Sequence, residues 1–179
     1  MIFAPTAGPY GLQTHTHTAR MINRNGSALA IGDVVQTSWE HTGASTYFTT
    51  TPTTDADLRK NPLACVVKID AVAQDDVVAA CFVGVVTDIG NYGGADGTEV
   101  QVSFGQILSV NVKALTAAIV FGSALVAGDS TISPSTAGLL TNADGSTAPD
   151  TTIAYALGGV AIDATSLIPV MFLPQPIAI

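Results

Sequence analysis

One three-part pattern occurs twice in this sequence. In the first copy, Gly32-Asp33-Val34-Val35 is followed by Val83-Gly84-Val85-Val86-Thr87-Asp88 and then by Glu99-Val100-Gln101-Val102. In the second, Gly122-Ser123-Ala124-Leu125-Val126 is followed by Leu157-Gly158-Gly159-Val160-Ala161-Ile162-Asp163 and then by Leu167-Ile168-Pro169-Val170-Met171. Each copy runs from a Gly that opens an apolar strand, through a Gly-centred strand ending in Asp, to a closing strand. Self-similarity of this kind marks a duplicated structural unit. Equating 84–88 with 159–163 sets the halves at about 29–112 and 121–173. The first copy is longer, and an insertion at 39–62 accounts for the difference.

The intervening sequence favours strands. The stretches 63–72 and 77–87 are rich in Val, Ile and Cys, which suit a pleated, half-buried surface. Asn25-Gly26 and Asp96-Gly97 are turn signals, and strands are expected at 29–37, 98–104 and 106–112. One short helix is expected, capped by Thr54, running through Asp57 and Lys60 and stopped by Pro62. Residues 113–119 read as a helical turn or an irregular crossover. Many short strands with Gly and Pro turns indicate an all-β barrel or sandwich. The expected organisation is an extended N-terminal arm at 1–22, a β domain at 23–173 and an extended C-terminal tail at 174–179.

Charge narrows the partners. Of 179 residues only 11% are charged, and the net charge is −8 with six Lys and Arg. Too few cations are present to neutralise a row of phosphates, so nucleic acid is not an expected partner. An anionic membrane surface repels such a chain. The longest apolar run, 77–86, is about half of what crosses a bilayer. No basic leader precedes an apolar segment, so synthesis in a host cytoplasm is expected. A surface with so little charge suits a protein largely covered by partners.

No constellation of catalytic groups is legible. His15 and His17 share one face of an alternating Thr-His run and His41 could join them, but no carboxylate is near the pair and zinc sites show a fuller ligand set. Cys65 and Cys81 lie in apolar runs. Burial would raise the Cys65 thiol pKa and leave it inert. Asp55 and Asp57 lack the Gly and closing Glu of a calcium loop. Asp75-Asp76 reads as a solvated turn. The Gly90–Gly97 stretch lacks the Lys and Ser/Thr of a phosphate loop and is expected to be a hairpin loop. Trp39, Tyr47 and Phe48 read as a plug under the 39–62 insertion, or as a sugar or partner platform. The expectation is therefore no enzyme, no metal and no cofactor. Partner-binding residues are instead expected in the arm, where Ile2, Phe3, Tyr10 and Leu12 stand between Pro and Gly residues.

The ordered stations resemble the capsid cement, or decoration, proteins of tailed bacteriophages. The matching stations are Gly32 to Val35, Gly84 to Val86, Val100 to Val102, Gly122 to Val126, Gly138-Leu139-Leu140-Thr141, Gly159 to Asp163 and Val170 to Leu173. They span residues 32–173. Val86 departs from the pattern, which has Ala there, and the arm has no counterpart in it. The resemblance implies a homo-oligomer, a trimer, bound to the outer surface of a major capsid protein lattice in the virion, with no enzymatic activity. Two other classes compete with it: a tail, fibre, baseplate or adhesin component, and a small β-barrel hydrolase using His15, His17 or His41.

Overall fold

The computed structural model describes residues 16–37, 65–70, 83–131, 134–142 and 152–173. They form two closed five-stranded barrels. The first contains β1 (His17–Asn23), β2 (Val34–Thr37), β3 (Cys65–Lys68), β4 (Val83–Asp88) and β5 (Glu99–Phe104). The second contains β6 (Ile107–Lys113), β7 (Ala124–Ala127), β8 (Leu140–Thr141), β9 (Ala154–Ala156) and β10 (Thr165–Phe172). The protein is all-β, as its Val-rich alternating segments require. The strand order β1-β3-β2-β4-β5 of the first barrel recurs in the second when each strand is advanced by five. Each barrel has one parallel pair, β1 with β3 and β6 with β8; the other pairs are antiparallel. Closure leaves neither sheet with an open edge.

The duplication is real, but its boundaries and inner alignment differ from the sequence reading. The barrels use residues 17–104 and 107–172 rather than 29–112 and 121–173. Residues 17–22, expected in the arm, belong to β1 and pair with β5. They do so because Met21 is needed inside: it is buried with Leu29, Val35, Val66, Val86, Val100 and Val102. Residues 84–88 and 159–163 are not equivalent. Gly32 N–H donates to Val86 O and Gly122 N–H to Ala156 O, so β4 corresponds to β9. Residues 159–163 instead match the loop before β5. Val160 O accepts from Ile119 N–H as Gly94 O accepts from Leu29 N–H.

One register detail separates the barrels. Measured from β2 and β7, β1 and β6 differ by two residues in their placement along the third strand: Ile22 lies opposite Cys65, and Lys113 opposite Thr141. An even shift keeps the same side chains facing inward, so both barrels keep an apolar interior.

The expected helix at 54–62, the 39–62 insertion, the arm residues 1–15 and the tail 174–179 lie outside the described residues. Residues 114–118 form an irregular bend rather than a helical turn.

The barrels share a core. Val34, Ile69 and Val85 point away from the first barrel's interior and join the buried cluster of the second, with Val110, Val112, Leu125, Leu140, Val170 and others. Burying a side chain of this size contributes about 1.5–3 kcal/mol. Backbone bonds cross the junction. Val34 N–H donates to Gly138 O (2.7 Å), Gly138 N–H to Ile69 O (2.8 Å), and Asn111 N–H to Gly32 O (2.8 Å). Asn111 Nδ2 donates to Ile31 O at 2.8 Å.

Candidate functional site: turn tips and a polar cleft

Each barrel carries the same tight turn before its second strand. In the first it is Ala30-Ile31-Gly32-Asp33, closed by Asp33 N–H to Ala30 O; in the second it is Val120-Phe121-Gly122-Ser123, closed by Ser123 N–H to Val120 O. The third residue has φ of 89° at Gly32 and 83° at Gly122. That left-handed conformation is why Gly stands there in both copies. The fourth side chain caps the turn: Asp33 Oδ2 accepts Ala30 N–H at 2.9 Å and Ser123 Oγ accepts Val120 N–H at 3.0 Å. Such a turn puts its second residue at the tip. Ile31 is 51% exposed and Phe121 is 76% exposed.

The first tip is seated on the second barrel. A methyl group on Gly32 would stand 2.7 Å from Leu167 Cδ1 and 2.8 Å from Asn111 Cγ. Asp33 is buried there, with Lys68 Nζ 3.3 Å from its Oδ2. Among the described residues the second tip has no such seat: a methyl group on Gly122 would meet nothing within 4 Å.

The first barrel also bears an open polar cleft of about 380 Å³. Arg20, Asp88, Asn91, Tyr92, Glu99 and Gln101 line it. Arg20 Nη1 donates to Glu99 Oε1 at 2.9 Å, with both side chains largely in water, so the pair adds little stability. Tyr92 is 75% exposed. The lining holds hydrogen-bond donors, acceptors and one aromatic face. Among the described residues its lining holds no His, Cys or Ser.

The Gly-rich stretch before β5 is a structural loop. A short 3-10 turn at Gly90–Tyr92 is followed by turns closed by Gly94 N–H to Ile89 O and Thr98 N–H to Ala95 O. Buried Asn23 ties it down, donating from Nδ2 to Gly94 O and to Ser27 O at 2.7 Å each. Gly94 packs so closely on Leu29 O that any side chain would collide. The hairpin-loop expectation is met.

The partner residues expected in the arm, Ile2, Phe3, Tyr10 and Leu12, lie outside the described residues, as do His15, His41, Asp55, Asp57, Asp75, Asp76, Cys81, Trp39, Tyr47 and Phe48. His17 begins β1 and is exposed. Among the described residues no group of three or more His, Cys, Asp or Glu could hold a metal ion. Cys65 is buried. Burial pushes its thiol pKa up, partly opposed by the Arg24 charge and hydrogen bond. The tips and the cleft were missed in the sequence. The signal was present: in both copies a large apolar residue precedes the repeated Gly, at Ile31 and at Phe121.

No protein-family model, no curated protein and no solved structure matches this chain.

Proposed function

We propose that this chain is a capsid decoration, or cement, protein of a tailed bacteriophage. It binds the outer surface of the major capsid protein lattice as a homotrimer and stabilises the shell. The observation that carries the reading is the fused pair of like barrels with apolar residues held out on turn tips. Ile31, Val120, Phe121, Ile162 and Leu167 are large apolar residues left exposed on a stiff framework. Exposed apolar groups on a rigid scaffold favour association with other proteins. The low charge of the chain and the ordered stations from Gly32 to Leu173 support the same reading.

The test is co-sedimentation with shells of the phage whose genome carries the chain. Expanded shells should pellet the protein at a fixed, saturable ratio and should then resist heat or chelation better than bare shells. Absence of the chain from pelleted shells at tens of micromolar overturns the reading. Recovery with isolated tails instead identifies a tail component.

A further inference from the structure

The contact between the two barrels is directional. The first barrel contributes a docking face: the Ile31 tip, Val34 at the start of β2, and Val85, which pairs with Val34. The second contributes a receiving face, the Asn111–Leu167 pair on β6 and β10, where Gly32 and Ile31 place their carbonyls. Because the barrels repeat, each half of this contact has a counterpart left unused among the described residues.

The unused docking face is on the second barrel. Phe121 stands where Ile31 does, Ala124 where Val34 does and Tyr155 where Val85 does. The matching bonds from Gly32 to Val86 and from Gly122 to Ala156 fix this correspondence, as do the paired residues Val34–Val85 and Ala124–Tyr155. Val34 is fully buried and Val85 is 1% exposed. Their counterparts are less covered: Ala124 is exposed and Tyr155 is only partly buried.

The unused receiving face is on the first barrel. Arg20 precedes Asn23 by the same three residues that separate Asn111 from Ala114, and Asn23 and Ala114 make matching bonds to the loop before the last strand. Arg20 pairs with Gln101 as Asn111 pairs with Leu167. Arg20 and Gln101 line the open cleft.

We propose that the Phe121 tip of one copy seats in the Arg20–Gln101 cleft of the next, repeating between chains the contact that joins the two barrels within each chain. Arg20 takes the place of Asn111 as the donor to the tip carbonyls. The exposed ring of Tyr92 offers a face to Phe121. A head-to-tail contact closes into a ring or runs on as a filament. The inference rests on the self-association in the proposed function and gives it a surface: a closed trimer would present six barrels in one ring.

The experiment uses the full chain with two variants, Phe121→Asp on the tip and Arg20→Glu in the cleft. Both side chains are exposed, and circular dichroism checks the fold. Light scattering coupled to size exclusion should show the wild type as an oligomer and each variant as a monomer of 18.2 kDa. A mixture of the variants should give a dimer and nothing larger, because each retains the half that the other has lost. Oxidative cross-linking of a Phe121→Cys/Gln101→Cys chain, expected to join neighbours covalently, decides the matter if either variant fails to fold. A monomeric wild type, a variant that assembles like the wild type, a mixture that stays monomeric, or no cross-link overturns the contact. A chain that assembles this way but leaves shells undecorated overturns the cement reading and not the contact. A monomer that decorates shells does the reverse.

Discussion

Asp163 occupies in the second barrel the station that Gly97 occupies in the first. Asp163 N–H donates to Ala114 O as Gly97 N–H donates to Asn23 O, and both are left-handed, with φ of 61° and 78°. Asp163 is the only non-Gly residue with positive φ among those described. A side chain in that conformation costs about 1–2 kcal/mol, less for Asp than for most residues. Asp163→Gly should therefore stabilise the protein, by about 0.5–1 kcal/mol in urea denaturation, and Gly97→Ala should destabilise it by a similar amount. An Asp163→Gly chain less stable than the parent would mean that the carboxylate has a role the turn does not explain.

Asp33 serves the turn and the junction at once. Its carboxylate accepts Ala30 N–H and faces Lys68, whose side chain is itself largely buried. Asp33→Ala should cost about 2–3 kcal/mol, because it uncaps the turn and leaves a partly buried cation unpaired. Asp33→Ser copies Ser123 and should restore the cap while leaving Lys68 without its charge partner, recovering about 1 kcal/mol. Denaturant midpoints of the three chains decide the order.

Two glycines should respond oppositely to the same methyl group. At Gly128 a Cβ would collide with the backbone carbonyl of Thr136, a residue that is fully buried. At Gly159 the nearest atom would be Ile119 O at 3.5 Å, an ordinary contact. Neither has positive φ. Gly128→Ala should cost about 1–3 kcal/mol through overpacking. Gly159→Ala should be neutral or should stabilise by about 0.4–1 kcal/mol, by restricting the unfolded chain. Thermal melts of the two variants provide the comparison.

Removal of residues 1–22 should open the first barrel, because β1 closes it between β3 and β5. The loss of Met21 alone should cost about 2–5 kcal/mol. Removal of residues 1–15 stops short of β1, and both barrels should keep a cooperative melt. If the proposed cement function holds, shell binding by that shorter chain then measures what Ile2, Phe3, Tyr10 and Leu12 contribute to it.

Cys65 should react slowly with iodoacetamide near pH 8 in the folded protein and rapidly in denaturant, as read by peptide mapping. Burial raises its pKa in the folded state, so the folded chain holds the thiol proton more tightly than the unfolded one. Stability from this group is fully present below the unfolded thiol pKa, about 8.5, and is lost as pH rises through the folded value. The parent should therefore lose stability above about pH 8.5, and Cys65→Ala should flatten that slope.

The sequence alone showed an all-β chain built twice, because alternation and Gly-opened strands are local properties that each copy displays by itself. It paired Gly32 with Gly122 ahead of corresponding strands, but it ran a strand through 29–37 where Ile31 and Gly32 form a turn, because the apolar residues on either side of the Gly read as one continuous run. It misaligned the middle of the repeat because Asp163 fills a Gly station; matching Asp163 to Asp88 was reasonable by residue type and wrong by hydrogen bonding. It could not show that β1 belongs to the barrel, since nothing local to residues 17–22 distinguishes a strand that closes a sheet from an extended arm. Only the tertiary structure decided which copy of each surface is used. Val34 and Ala124 open equivalent strands with similar apolar character, yet one is buried and the other exposed. That difference comes from packing one barrel on the other, a long-range contact that no residue records in its own neighbourhood.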